Sequence, residues 1–463
     1  MVKVRDLLER IANAMIDEER KHTIEEFVHK KNWQALREEL SEWPLPEIAD
    51  LLLELDKADR VLVFRMLPRR ISGDVFSYME SEHRKGLLKD LTDEETRHLL
   101  ASLTPDDRTN LFEELPGQVT QHLLNFLSPE DLRESRQLLG YPEESVGRLM
   151  TPDYVAVRPE WTVHEALEHI RLKGKRSETI NVIYVTDQSW KLLDALELQK
   201  FILARPDDTI DQIMDDNFVS LSAFEDREKA VFAMQKYDLF ALPVVDTDGV
   251  LIGMVTIDDV FDVAQKEATE DFHKGAAVAP LKTSYREASV WSLYRKRVGW
   301  LMTLVVVNLA SSGVIAAYED MLSAAIALAF FIPLLIDSGG NAGAQSATLM
   351  VRALATGDIK LNQWYKTISK EMKVGIAIGL TMALGSLLLG YFRGGFEIGL
   401  IVGITMVTLV IVANIIGTIL PFLLVRIRVD PAVASGPLIT SIIDAVGLLI
   451  YFSIAAMVLG QVG

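Results

Sequence analysis

Gly436-Pro437-Leu438-Ile439-Thr440-Ser441-Ile442-Ile443-Asp444-Ala445-Val446 opens an apolar run that reaches about Gly460, and Asp444 is the one charge in that run. A carboxylate in a membrane-length apolar helix costs about 2.5–3.5 kcal/mol on insertion scales, so such a group faces a partner or a water-filled path. Thr440 and Ser441 precede it by four and three residues, which puts both on the same helical face as Asp444. The run therefore reads as a membrane crossing that carries a polar stripe with an acid at its end.

Four more apolar segments precede it, at about 298–317, 322–349, 374–392 and 397–425; with 437–460 they make five, each long enough to span a bilayer. Basic residues orient them. Arg295-Lys296-Arg297, the second loop (Arg352, Lys360, Lys366, Lys370, Lys373) and the fourth (Arg426, Arg428) fall on the cytoplasmic side. Tyr318-Glu319-Asp320 and the short loop from Tyr391 to Glu397 fall outside. The expectation is a multi-pass protein of the cytoplasmic membrane, N-terminus inside and C-terminus outside.

The second segment contains Pro333-Leu334-Leu335-Ile336-Asp337-Ser338-Gly339-Gly340-Asn341-Ala342-Gly343-Ala344-Gln345. Asp337, Asn341 and Gln345 are spaced by four and share a face; the glycines let backbones approach closely or expose carbonyls. Small and polar residues commonly serve as helix–helix glue in membranes. Polar stripes on two helices together with an intramembrane acid favour a conduction path. Asn414 and Pro421 add polar and flexible points to the fourth segment.

Composition sets the rest of the chain apart. Mean hydropathy is +0.19 although 24% of the 463 residues are charged, so apolar and charged residues are segregated. Residues 281–463 hold 13 basic and 9 acidic residues, a net of +4, which leaves −22 of the overall −18 on residues 1–280. A strongly acidic part beside a slightly basic apolar part argues against nucleic acid and for cations. No cysteine is present, so disulfides and thiolate metal sites are excluded. The opening MVKVRDLLERIANAMIDEERK lacks the apolar core of a signal peptide, which leaves the first 280 residues in the cytoplasm.

Residues 1–140 read as an all-α solenoid. Leu55, Leu67, Met79, Leu91, Leu103, Leu115 and Leu127 fall twelve apart, followed by LPRR, LTDE, LTPD, LPGQ and LSPE variants. Thr92-x-x-Glu95 has capping-box spacing, and Thr104-Pro105 and Ser128-Pro129 pair an N-cap with a proline at the first helical position. One short capped helix per unit cannot bury its own face, so the units must stack. The acids that open these helices (Asp93, Glu94, Asp106, Asp107) are also plain partners of the helix dipole.

Residues 141–262 alternate strand and helix twice: YVAV (154–157), a capped helix from Thr162 and NVIYVTD (181–187), then FVSLS (218–222), a helix over 226–238 and ALPVVDTDGVLIGMVTIDDV (241–260). Asp248-Gly249 between apolar runs is a hairpin signal. This α/β pattern resembles a tandem of cystathionine-β-synthase (CBS) domains. The resemblance implies adenine-nucleotide binding, with ATP the candidate and the acid of a Ser/Thr-x-x-Asp element holding the ribose. The second copy supplies Thr256-Ile257-Asp258-Asp259. The first has Glu197-Leu198-Gln199-Lys200, with a lysine where the acid belongs, and Trp190 to Asp194 where a glycine turn belongs.

Residues 263–297 are expected to form a connecting helix. Asp258, Asp259, Asp262, Glu267, Glu270 and Asp271 crowd its beginning. Most such runs are solvated faces. With Asp226, Glu228 and Asp238, these oxygen ligands also suit Mg²⁺ or Ca²⁺.

Taken together, Pro333…Gly339-Gly340-Asn341-Ala342-Gly343-x-Gln345, Arg352-Ala353-Leu354-Ala355-Thr356-Gly357 and Asp430-Pro431…Pro437…Thr440-Ser441-x-x-Asp444 resemble the MgtE family of Mg²⁺ channels. The domain order matches too: helical N domain, CBS pair, connecting "plug" helix, then a five-helix transmembrane domain at 298–463. The resemblance implies a homodimer in the lipid bilayer, with a central pore lined by the second and fifth membrane helices. It implies Asp444, Thr440, Ser441, Asn341 and Gly340 at the pore, where Mg²⁺ keeps much of its water. It further implies regulatory Mg²⁺ at Asp106, Asp226, Glu228, Asp238, Asp259, Asp262, Glu267, Glu270, Asp271 and Asp430, closing the pore when cytosolic Mg²⁺ is high. Asp337 lies outside the family motif and either adds a second acid to the pore or pairs internally.

Two other classes compete. A secondary transporter coupled to protons or Na⁺ would use Asp337 as a relay. A membrane-tethered CBS sensor would need no intramembrane carboxylate. An enzyme is disfavoured: the sequence shows no nucleophile–base set and no phosphate-cradling loop.

Overall fold

The computed structural model describes residues 22–24, 26–281, 285 and 288–460, so the N-terminal stretch inspected for a leader lies outside the described residues. The chain divides into two compact units, Met1–Ala264 and Gln265–Gly463.

From Trp33–Leu40 to Pro129–Leu138 the first unit is a succession of helices of eight to ten residues. Thr92 closes a capping box: its Oγ1 accepts from Glu95 N at 3.3 Å, while Glu95 Oε2 accepts from Thr92 N at 2.8 Å. The twelve-residue leucines mark where helices end. Leu55, Leu67, Leu91, Leu103 and Leu115 each sit at a C-cap with ψ near 140–150°, outside the helical region. That turn drops Leu55, Leu67 and Leu103 into the shared core with Ile48, Phe76 and Leu100. The period is thus one helix plus one buried corner.

The CBS pair follows as two three-stranded sheets. Ala156–Val157 pairs parallel with Val182–Thr186, which pairs antiparallel with Leu192–Glu197. Leu221–Ser222, Ala241–Val245 and Leu251–Thr256 repeat that pattern. The helices Val163–Lys173 and Glu228–Tyr237 cover the sheets. Where Gly249 turns the second hairpin with φ 82°, Trp190 turns the first with φ 64°. A tryptophan therefore takes the left-handed position that glycine takes in the other copy, and Arg158 stacks on its ring at 4.6 Å. The two hairpins bond across the pair, Leu192 N to Gly249 O and Leu251 N to Trp190 O.

The connecting helix differs from its expected span. It runs Ile257–Gly275, and among the described residues the next helix is Val290–Ala317. Gly275, the left-handed Ala277 (φ 57°) and Pro280 end it, since proline has no N–H to continue the ladder.

Among the described residues of the second unit, four elements are long and apolar enough to cross a membrane: Val290–Ala317, Ile326–Ala355, Leu361–Arg426 and Gly436–Leu459. No residue of Val290–Ala317 is buried. The second element enters through a 3₁₀ stretch, Ile326–Phe331, before Pro333 starts the α-helix Ile332–Ala355. The helix Trp364–Arg426 has 63 residues, about 95 Å if straight and roughly three hydrocarbon thicknesses. It folds back instead at Gly395 (φ 83°, ψ −176°). Gly375 lies against Ile411, Gly379 against Val407 and Gly390 against Gly399, the pattern of two antiparallel halves in close approach.

Glycines also set the contacts of Ile332–Ala355. A Cβ on Gly340 would stand 3.0 Å from Thr440 Cγ2, and one on Gly343 would stand 2.1 Å from Ile443 Cδ1. Gly417 faces the carbonyl of Gly343, which an added Cβ would approach to 2.3 Å. A backbone carbonyl cannot rotate away as a side chain can. Gly417→Ala is therefore expected to destabilise the helix packing by about 1–3 kcal/mol, read as a lowered melting temperature in detergent. Gly385→Ala, where a Cβ meets nothing within 4 Å, is expected to leave it unchanged or slightly raised.

Candidate functional site

Asp337, Asn341 and Gln345 lie one turn apart along Ile332–Ala355, and all three are exposed. On the opposite side of the same helix Ser338, Gly339, Ala342, Gly343 and Ser346 are buried. The helix therefore packs through its small residues and presents its polar stripe outward. Asp444 on Gly436–Leu459 is half-buried, and Asp337 lies within its electrostatic reach. Gly340, against Thr440, and Gly343, against Ile443, bring the two helices into contact.

Other polar residues of the membrane unit turn inward or bond within their own helices. Thr440 donates its hydroxyl to the Pro437 carbonyl at 3.0 Å, and Ser441 is buried. Asn414 is 2% exposed and lies against Gly375, with its Oδ1 unpartnered. Ser346 donates to Glu371 Oε2 at 2.9 Å, an acid that spacing alone gives no reason to single out.

In the first unit the helical domain and the CBS pair bring carboxylates together. Asp106, at the start of Pro105–Glu114, is 8% exposed and its Oδ1 has no hydrogen-bond partner. Burial pushes its carboxyl up. Asp259 is pushed up first by burial and then by Asp106 and Asp258, although it accepts from Thr256 Oγ1 at 3.0 Å. Burial and Asp106 push Asp107 up to about 6. Burial, Asp106 and Asp258 push Glu178 up to about 7, and burial with Asp106 raises Asp153. Asp106 and Asp259 were expected here; Asp107, Asp153 and Glu178 are partners that only the tertiary fold reveals. Among the described residues no group of three or more His, Asp or Glu is arranged to hold a metal ion by itself.

The other acids are separate. Asp226 and Glu228 are exposed at the start of Glu228–Tyr237, with Asp226 Oδ1 accepting from Glu228 N at 2.9 Å. Asp238 is exposed at its far end, in a left-handed C-cap, about 15 Å away along the axis. Asp262 is exposed on the connecting helix.

A cavity of about 660 Å³ opens beside Asp238, lined by Glu197, Lys200, Asp215, Tyr237 and Phe240. Lys200 pairs with Asp215 at 2.5 Å. Thr256 and Asp259, expected to hold a ribose, do not line it; Asp259 lies in the cluster with Asp106.

At the end of the connecting helix, Lys274 Nζ bridges Glu270 at 2.6 Å and Asp430 at 2.5 Å. Burial works against its charge, but the bonds to Asp430 and Glu270 hold the ammonium protonated above its ordinary value. Burial followed by Asp430 raises Asp271. Asp430 also caps the turn Pro431–Val433 through Ala432 N at 2.8 Å. The ammonium thus occupies the place between two expected cation ligands.

Three family models match along the chain: the MgtE intracellular N domain over residues 44–144, CBS domains over 146–204 and 210–266, and the divalent cation transporter over 332–454. The magnesium transporter MgtE of Thermus thermophilus is 38% identical over 445 residues, covering 95% of this chain and 98% of its own length. The magnesium transporter MgtE of Bacillus subtilis is 35% identical, covering 69% of this chain and 70% of its own. Among solved structures, the cytosolic domain of the Mg²⁺ channel MgtE in complex with ATP aligns with a TM-score of 0.51 at 34% identity. It covers 52% of this chain and 99% of its own.

The raised carboxyls of the first unit set a pH dependence. A carboxyl whose pKa is raised by docking stabilises the docked state while protonated and loses that stabilisation as pH rises through the raised value. Without divalent cations, docking of the helical domain on the CBS pair is expected to loosen between about pH 5 and about pH 8, through the value of Glu178, which burial and then Asp106 of the helical domain push up to about 7. Limited proteolysis of the full chain in EDTA at the two pH values checks this. Added Mg²⁺ is expected to abolish the difference.

Proposed function

The chain belongs to the MgtE family of magnesium transporters, and on that premise we propose that it is a Mg²⁺-selective channel that cytosolic Mg²⁺ closes. The observation that carries this reading is the outward stripe of Asp337, Asn341 and Gln345 beside Asp444. Such a stripe on a membrane helix is too costly to set against lipid, so water or a second polar surface must cover it. Two copies of the chain with their stripes facing one another supply both. The pore then lies on the dimer axis between the second and fifth crossings, and Asp444 of each copy faces the ion. Mg²⁺ dehydrates reluctantly and is bound through one or two carboxylates with its waters kept, which suits a site with few direct ligands.

Regulation follows from the acids outside the membrane. Buried Asp106, with one oxygen left unpartnered, and half-buried Asp259 are brought together, an arrangement a hydrated divalent cation relieves. Asp226, Glu228, Asp238 and Asp262 are exposed, at positions where acids of the second copy would meet them. At Glu267, Glu270, Asp271 and Asp430, Mg²⁺ competes with Lys274 for the bridge between connecting helix and membrane domain. High cytosolic Mg²⁺ fills these positions and holds the pore shut; as it falls, repulsion separates the acidic faces. The N-terminal domains then lie in the cytoplasm and the C-terminus outside.

A nucleotide fits the CBS cavity. Its volume is ligand-sized, Phe240 and Tyr237 offer exposed rings for a base, and Lys200 offers a cation for phosphates. ATP is the candidate, in line with the solved relative.

Asp444→Ala is expected to abolish Mg²⁺ uptake while the protein stays folded and dimeric; normal growth of a Mg²⁺-requiring strain on that variant would remove the pore assignment. Neutralising Glu267, Glu270 and Asp271 together is expected to raise the cytosolic Mg²⁺ needed for closure. An unchanged closing concentration would refute their role. Lys200→Glu is expected to weaken ATP binding about tenfold or more, the worth of a hydrogen bond to a charged group, as measured by calorimetry.

A further inference from the structure

A cavity of about 270 Å³ lies beside the start of the first apolar helix, with none of Asp337, Asn341, Gln345 or Asp444 in its lining. Most of its wall is apolar, with Val278 of the connector and Val433 of the turn after Asp430 contributing. Lys274, Arg295 and Lys296 also line it. Lys274 is already held by Glu270 and Asp430, whereas neither Arg295 nor Lys296 pairs with a carboxylate among the described residues. Trp300 completes the lining, and its indole Nε1 is buried without a hydrogen-bond partner. Leaving such a donor unpaired is costly, so the site calls for an acceptor.

These features narrow the occupant by its chemistry. Two cations with no carboxylate partner among the described residues call for negative charge, and the orphan N–H calls for an oxygen. The apolar wall disfavours a bare inorganic anion, which would lose its hydration without compensation. An amphiphile with a phosphate joined to an apolar body satisfies all three. Arg295-Lys296-Arg297 also marks the cytoplasmic end of the first crossing, where basic pockets take anionic headgroups.

We propose that this cavity binds an anionic phospholipid of the inner leaflet, its phosphate at Arg295, Lys296 and the Trp300 N–H and its apolar body against Val278 and Val433. Its location rests on the orientation given under the proposed function. Ala279 N donates to the Lys296 carbonyl at 3.0 Å, tying the connector to the first membrane helix beside the site. Val433 stands three residues after Asp430. The lipid therefore touches the connecting segment and the turn that carries the Lys274 bridge, and its occupancy bears on how firmly that bridge is held.

The test reads lipid contact directly, independent of Mg²⁺ flux, so its failure and the failure of the channel reading are distinguishable. The full chain is reconstituted in phosphatidylcholine vesicles containing phosphatidylglycerol, with bromine on the acyl chains of one lipid or the other. The Trp300 signal is taken as the fluorescence difference between the parent and Trp300→Phe. Brominated phosphatidylglycerol is expected to quench that signal more than brominated phosphatidylcholine at equal share. Arg295→Gln and Lys296→Gln are each expected to lower the preference about fivefold. Arg297→Gln, exposed and outside the lining, is expected to keep it, and soluble glycerol phosphate is expected not to displace the lipid. Equal quenching by the two lipids overturns the proposal. So does a preference that survives loss of both cations, an equal loss with Arg297→Gln, or displacement by glycerol phosphate.

Discussion

A carboxylate inside a membrane cannot be left against hydrocarbon, and the membrane unit is arranged around that constraint. Its small residues are spent on close packing: Gly340 against Thr440, Gly343 against Ile443, Gly417 against a backbone carbonyl. That packing turns the buried side of Ile332–Ala355 inward and leaves Asp337, Asn341 and Gln345 on the other side. The glycines and the polar stripe are therefore one device. The first pack the helices and the second is left exposed.

The same electrostatics recur outside the membrane with a different solution. There, acids are brought together in excess of their partners, and burial raises Asp106, Asp107, Glu178 and Asp259. Such a cluster is stable only with its charge offset, by protons, by cations or by a tethered ammonium. Lys274 is the tethered case, bridging Glu270 and Asp430. On the proposed reading, a divalent cation that took over this lysine bridge would let ion concentration act on the membrane domain.

Much of this was legible in the sequence because it is local. The twelve-residue leucine period is a short helix and a corner, and it survives in the structure as buried C-cap residues. The CBS strands follow from alternating runs and a hairpin glycine. The apolar segments follow from length, although the extent of the connecting helix did not, because Gly275, Ala277 and Pro280 stop it well before residue 297. The tertiary contacts were illegible for a plain reason. Nothing in spacing brings Asp153 and Glu178 to Asp106, Lys274 to Asp430 across more than 150 residues, or Glu371 to Ser346. Periodicity alone also cannot say that Ser441 turns inward while its neighbours do not. The missing glycine of the first CBS turn pointed to a departure, and Trp190 adopts the left-handed backbone in its place.

Unitary currents from the reconstituted full chain, with Mg²⁺ as the charge carrier and no pH or Na⁺ gradient, test the central claim most directly. The account predicts discrete openings at low cytosolic Mg²⁺ that cease as cytosolic Mg²⁺ is raised. Flux that appears only with a coupling gradient, or openings indifferent to cytosolic Mg²⁺, would contradict it.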